Sequence, residues 1–260
     1  MSGKVRCEVE GAVGWIVFDH PERRNAISSN MWKELGQAAE GLGSDDSVRV
    51  VVMRGEGGEA FVSGADISQF DGADGKRTSQ RLDSGGGNAF ETLSRLEKPL
   101  IALIDGFCIG GGLAVALCAD LRYASADASF GIPAARLGVG YGLEGIEKLA
   151  DVVGPSHAKE ILFTARRYTA SEALAMGLVN RVVARDELRP TVETIAEEIA
   201  ANAPLTVRSV KVLSQQLQRE PARRDSKRIA EVLEACFASD DFSEGVKAFL
   251  EKRVPIFKGR

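Results

Sequence analysis

Three consecutive glycines, Gly110, Gly111 and Gly112, stand in "IGGGLAVALCAD", where an apolar stretch with helical spacing begins. Glycine inside a helix costs about 0.5–1 kcal/mol relative to alanine, so three together mark a place where something comes close to bare backbone. They follow "LIALIDG", which has the pattern of a buried strand. A strand, a glycine turn and a helix start aim backbone N–H groups and the positive helix end at one spot. A phosphate is the first ligand such a spot suggests, but the residues here form neither GxxxxGK[ST] nor GxGxxG. Close packing of helix on strand would by itself account for one or two of the glycines. A second small-residue turn lies in "EAFVSGADISQF", residues 59–70. Two such turns, each leaving an N–H free, could converge on one carbonyl oxygen and form an oxyanion hole for charge that develops there.

Other reactive residue types point away from the common hydrolase and metal arrangements. The two histidines, His20 and His157, have no nucleophile near them in sequence, which gives a Ser-His-Asp or Cys-His site no support. Cys7, Cys108, Cys118 and Cys236 form no CxxC pair and no metal-ligand spacing, so no metal is expected. Cys108 and Cys118 sit in apolar surroundings and read as buried thiols in a reducing compartment. Lysine plus arginine number 33 against 37 aspartate plus glutamate, a net charge of −4. That balance argues against a dedicated nucleic-acid surface. The N-terminal "MSGKVRCEVEG" lacks the apolar run of a signal peptide, and no run approaches the roughly 20 apolar residues of a membrane span. The expected setting is the cytoplasm, with neither nucleic acid nor membrane as a partner.

The elements that must position the glycine turns are legible from periodicity. "VRCEVEG" and "VGWIVFD" read as two strands around Gly11. Ser28 caps a helix over "SNMWKELGQAAEGL", and "VRVVVMRG" is a strand buried on both faces. Residues 68–88 carry too few apolar side chains to pack and read as a mobile loop. "NAFETLSRLEKP" is a helix that stops before Pro99, and "CADLRYASADASFG" holds two further short strands. "EGIEKLADVVG" and "SHAKEILFTA" follow as helices, and "AMGLVNRVV" as a helix end and a strand. Apolar strand, glycine turn and helix recur, which implies a layered α/β core over residues 1–185. From about residue 186 to 260 every segment has helical periodicity, the pattern of a helical unit that packs on the core or on another subunit.

The chain resembles the enoyl-CoA hydratase/isomerase (crotonase) superfamily over essentially its whole length. The likeness rests on "PERRNAIS", "FVSGADI", "KPLIALIDGFCIGGGLAVALCADLRYAS", "ASFGIPAARLGVGYG", "TASEALAMGLVNRVV" and "FLEKRVPIF". It implies an α/β spiral of ββα repeats with a C-terminal all-helical segment for oligomerisation and CoA closure. It also implies an acyl-CoA thioester as substrate, no separate cofactor, and a homotrimer or dimer of trimers. By that resemblance the N–H groups of Ala65 and Gly111 hold the thioester oxygen. Ser63, Ala65 and Ile67 line the groove for adenine and pantetheine, and Phe249 and Lys252 meet the nucleotide end of CoA across a subunit boundary. Asp120 reads as structural, bonding backbone at the end of the glycine helix.

Hydratases of this superfamily use two glutamates, one on the helix after the glycines and one after the "FG-x-P" turn. Those positions here are Ala114 and Ala134. Alanine neither orients a water nor moves a proton. Two residues downstream could take over part of that work. Tyr141 lies on the loop that closes over the acyl group in the superfamily, and "LGVGYGLEGIEKL" with "FLEKRVPIF" is similar to the methylmalonyl-CoA decarboxylase branch. That branch, however, has a histidine in place of Ala65 and a carboxylate in place of Ala114. Glu144 is the other candidate, against the plainer reading of a solvated glutamate in a first helical turn. Three functions follow: a hydratase- or isomerase-type enzyme working without the usual glutamates, a malonyl-type decarboxylase, and a non-catalytic acyl-CoA binder.

Overall fold

The computed structural model describes residues 3–66 and 87–260. Strands β1 (Lys4–Glu10) and β2 (Val13–Asp19) form the expected antiparallel hairpin. Gly11 turns it at φ 61°, a left-handed conformation that glycine adopts without steric cost. Ser28 then caps helix α1 (Ser29–Ser44), its hydroxyl accepting the Met31 N–H at 3.3 Å.

From there the chain repeats one unit. Strand β3 (Val50–Gly55) joins a first sheet, β4 (Ala60–Val62) joins a second, and helix α2, described over residues 87–95, follows. β5 (Leu100–Ile104), β6 (Phe107–Ile109) and α3 (Gly111–Ala116) repeat the unit. So do β7 (Leu121–Ser125), β8 (Ser129–Gly131) and α4 (Ala134–Leu137). Each turn of this spiral adds one strand to each sheet. The larger sheet runs β1-β2-β3-β5-β7-β10, parallel except at the hairpin. The smaller runs β4-β6-β8-β9, parallel except at its last pair. Its β9 (Tyr168–Thr169), helix α6 (Ala170–Ala175) and the outer β10 (Arg181–Val183) complete the core.

The continuous apolar runs are explained by burial of the large sheet on both faces. Val13, Trp15, Val17, Val50 and Val52 pack against Leu188, Val192 and Ala196 of α7 (Arg185–Ala201). The alternate residues Ile16, Phe18, Val51 and Met53 face the inner core with Leu35 of α1 and Leu113 of α3. The two helices read from "EGIEKLADVVG" and "SHAKEILFTA" are one element, α5 (Leu143–Thr164), broken at Gly154 (φ 77°, ψ 160°) ahead of Pro155. Helices α8 (Pro204–Leu217), α9 (Ser226–Phe237) and α10 (Asp240–Glu251) end the chain. Ile67 and most of the stretch read as a loop, 68–86, lie outside the described residues, while 87 and 88 are helical. No described helix is long and apolar enough to cross a membrane.

Candidate active site

The turn at residues 63–66 is held from one side by "RRNAI". Ser63 N–H donates to the Arg24 carbonyl at 3.0 Å, Ile27 N–H to Gly64 at 2.8 Å, and Asp66 N–H to Ile27 at 3.0 Å. The bridge between Ile27 and Ala65 is parallel, and Ile27 spends both of its backbone groups on the residues flanking Ala65. The Ala65 N–H therefore points to the opposite side. Asn25, fully buried and left-handed at φ 56°, anchors this segment. Its amide nitrogen donates to the carbonyls of Ala60 (2.7 Å) and Glu56 (3.0 Å), and its oxygen accepts the His20 N–H at 2.8 Å.

Gly111 is the first residue of α3, so its N–H is one of the donors a helix start leaves without an internal partner. A Cβ placed on Gly111 would stand 3.5 Å from the Ala65 nitrogen. Among the described residues, neither the Ala65 N–H nor the Gly111 N–H finds an acceptor. Two free donors side by side, one at a helix start, can grip an oxygen that gains negative charge. The three glycines answer to three different demands. Gly110 takes φ 56°, ψ −118°, Gly111 borders the paired donors, and a Cβ on Gly112 would stand 2.1 Å from the Val62 carbonyl oxygen.

The far end of α3 is fixed by two charged residues. The buried Arg122 donates to the carbonyls of Leu178 (2.9 Å), Ala119 (2.5 Å) and Ala116 (3.4 Å). Asp120 accepts the Leu100 N–H at 2.7 Å and the Lys211 ammonium at 2.7 Å. It thus bonds backbone, though that of β5 rather than of the helix end that the sequence reading names, and it makes an ion pair that the sequence does not announce.

Gly111, Ala114 and Cys118 share one half-buried stripe of this helical stretch, while Gly112, Leu113, Val115 and Ala116 are buried. Ala114 and Ala134 bring neither charge nor proton to it. Tyr141 packs against the core beside this stripe. Its hydroxyl is buried with no hydrogen-bond partner among the described residues. Burial, with the Cys118 thiol nearby, pushes its pKa up to about 12. Lys148 donates to Ser94 Oγ at 2.7 Å and reaches Cys118 Sγ at 3.6 Å. Glu144 lies in the first turn of α5 with its side chain 74% exposed, 3.7 Å from the Lys148 ammonium.

Of the remaining candidates, Phe249 and Lys252 lie together at the end of α10, the Lys252 N–H donating to the Phe249 carbonyl at 3.3 Å. Ser63 is in the turn, its hydroxyl donating to the Arg23 carbonyl at 3.2 Å. Phe249 is 82% exposed on α10 and lines an apolar groove of about 570 Å3 with Phe237, Phe242, Leu250 and Phe257. Lys252 caps that helix in a left-handed conformation, φ 54°. Neither Ala65 nor Gly111 is among the described residues that line this groove. Asn25 and Arg122 were not singled out in the sequence. Asn25 stands among polar neighbours in "PERRNAIS", so its residue type does not mark it, and the signal for Arg122 is a charge within the short strand "LRYAS".

Comparison with known proteins decides the family. The family model for enoyl-CoA hydratase/isomerase matches residues 8–260. The chain belongs to the enoyl-CoA hydratase/isomerase family. This member is 37% identical over 257 residues to the short-chain-enoyl-CoA hydratase of Clostridium acetobutylicum, with 97% of each chain covered. It is 34% identical over 264 residues to the carnitinyl-CoA dehydratase of Proteus mirabilis, covering 100% of both. The crystal structure of enoyl-CoA hydratase from Bacillus anthracis superposes with a TM-score of 0.92 at 30% identity, covering 99% of this chain and 100% of that one. The spiral of ββα units is thus the crotonase fold, and family membership makes an acyl-CoA thioester its substrate.

Proposed function

We propose that this family member holds the thioester oxygen of an acyl-CoA between the N–H groups of Ala65 and Gly111 and stabilises the enolate that forms there. The adjacency of those two unpartnered donors is the observation that carries the reading. Removing one donor of such a pair typically costs about 2.7–4 kcal/mol of barrier. The backbone of Ser63, Ala65 and Ile67 lines the adenine and pantetheine groove. CoA arrives as part of the substrate, and no separate cofactor is needed. The core, 1–185, carries the site. The helices of 186–260 close over CoA and join copies in a homotrimer or a dimer of trimers, so that Phe249 and Lys252 reach a neighbour's nucleotide. The exposed apolar row Phe237, Phe242, Phe249 and Leu250 supports that assembly. The free cysteines agree with a cytoplasmic setting.

One reaction that passes through such an enolate is decarboxylation of a malonyl-type thioester. Tyr141, buried beside the Cys118 stripe, carries its proton at neutral pH, as an unshifted phenol also does, and so does not serve as a base there. Decarboxylation needs no base. The bond from the α-carbon to the carboxylate breaks, its electron pair forms the enolate as carbon dioxide leaves, and the α-carbon takes a proton from Tyr141 or bound solvent, which regains one from water. Hydration or isomerisation of an enoyl thioester is the second reading, favoured by the activities named for the relatives. There Glu144 or bound solvent handles the proton.

Mass spectrometry of the protein incubated with crotonyl-CoA, a 3-enoyl-CoA and methylmalonyl-CoA separates these. Loss of carbon dioxide establishes the first reading; gain of water or a shifted double bond establishes the second. Thioesters that stay bound and unchanged make the protein a binder. Gly111→Pro removes one donor at a first helical position, where proline is tolerated. Full turnover in that variant would sink the enolate mechanism.

A further inference from the structure

Trp32 lies on α1, far in sequence from either glycine turn. Its ring edge nevertheless borders the paired donors. Cζ2 of the indole stands 3.6 Å from the position of a Cβ on Gly111, the same point that lies 3.5 Å from the Ala65 nitrogen. The residue is 8% exposed, and its ring meets Phe90 of α2 at a centroid distance of 5.2 Å in a tilted stack. An aliphatic side chain would fill the seam between α1 and α2 as well. An indole additionally sets a C–H edge beside the two N–H groups. The edge of an aromatic ring is the positive end of its quadrupole, and C–H groups make weak favourable contacts to oxygen. Ala65 and Gly111 are half-buried, and the ring is the apolar group that borders them, where exclusion of water would strengthen hydrogen bonds to a developing charge.

We propose that Trp32 is the third wall of the oxyanion site, its Cζ2 edge lying against the bound thioester oxygen and keeping water from the Ala65 and Gly111 N–H groups. This rests on the reading of those groups as the thioester site. Phe90 holds the ring in place from behind, so the aromatic pair couples α1 and α2 to the geometry of the two donors.

The protein's own fluorescence gives the test, because the chain has two tryptophans. Trp15 sits in the other core cluster, on the sheet face covered by α7, and serves as the control. Acetoacetyl-CoA, an enolisable thioester, is titrated into wild type, Trp15→Phe and Trp32→Phe, with free CoA in parallel and binding measured independently by calorimetry. The expected result is an emission change in wild type and Trp15→Phe with acetoacetyl-CoA but not with free CoA, and none in Trp32→Phe. For whichever thioester wild type turns over, Trp32→Leu should lose at least about tenfold in kcat, with KM within about twofold. Calorimetric binding to Trp15→Phe without an emission change overturns the proposal, as does wild-type kcat in Trp32→Leu. If Trp32→Leu does not fold, the Trp15→Phe titration alone decides. A wild type that binds free CoA but gains nothing from the acetoacetyl group removes the thioester reading itself, and the role of Trp32 with it.

Discussion

Gly112 lies so close to Val62 that a Cβ on it would stand 2.1 Å from the Val62 carbonyl oxygen. The neighbouring Gly111 has nothing nearer than 3.5 Å. Gly112→Ala must therefore push α3 off β4, an overpacking that costs about 1–3 kcal/mol or more. Gly111→Ala adds a methyl beside the paired donors and should leave stability unchanged or slightly raised while turnover falls at least about tenfold. Urea unfolding midpoints and initial rates check both, and the opposite ordering would refute the division of roles.

Tyr141→Phe removes a buried hydroxyl that has no partner. The variant should be as stable as wild type or more so, by about 1 kcal/mol, since an unsatisfied polar group is lost. Its turnover should fall about a hundredfold if the hydroxyl delivers the proton. In an unfolded chain the phenol ionises near pH 10, in the fold at about 12. Between those values the unfolded chain releases a proton that the folded one retains, so wild type loses stability as pH rises from about 10 to about 12. Tyr141→Phe should be spared that part of the loss, which thermal melts across the range would show.

Glu144→Gln tests the other candidate. The carboxylate is 74% exposed and faces Lys148 at 3.7 Å, an (i, i+4) surface pair. Such pairs contribute roughly 0.3–0.5 kcal/mol, so the melting temperature should hardly move. Turnover should stay within about twofold of wild type. A tenfold loss would make Glu144 the proton handler.

Asn25→Ala should be among the most damaging changes outside the two turns. It strands the His20 N–H and the Ala60 carbonyl, each at about 1–3 kcal/mol when buried, and forces alanine to φ 56°. Because Ser63, Gly64 and Asp66 hang on the segment that Asn25 anchors, stability and turnover should drop together. Stability retained with activity lost would instead assign Asn25 to the substrate.

The architecture was legible because its signals are local. Apolar runs such as "VRVVVMRG", the Ser28 cap and the break at Gly154–Pro155 each specify an element within a few residues. The paired turns were legible as small-residue clusters. Their convergence was legible too, but what holds them in place was not, because it depends on Asn25, Arg122 and Lys211 reaching across 31, 56 and 91 residues to hold the ends. Trp32 escaped notice for the same reason. On α1 it reads as one more apolar position on a buried helix face, and only the folding of α1 against α3 turns its edge toward Gly111. Asp120 shows the limit from the other side: a structural role is readable, but its partners, the Leu100 N–H at the start of β5 and the Lys211 ammonium, are not.

The paired donors belong to the backbone, and this has a consequence for how such a protein changes over time. No substitution except proline can delete an amide N–H, so the half of the site proposed to grip an oxygen is inherited through the course of the chain. Proton handling, which on the proposed mechanism falls to side chains, is inherited one residue at a time, at positions such as 114, 134 and 141. Descendants of this sequence can therefore trade one reaction for another by single replacements, without passing through an ancestor that has lost its hold on the acyl group.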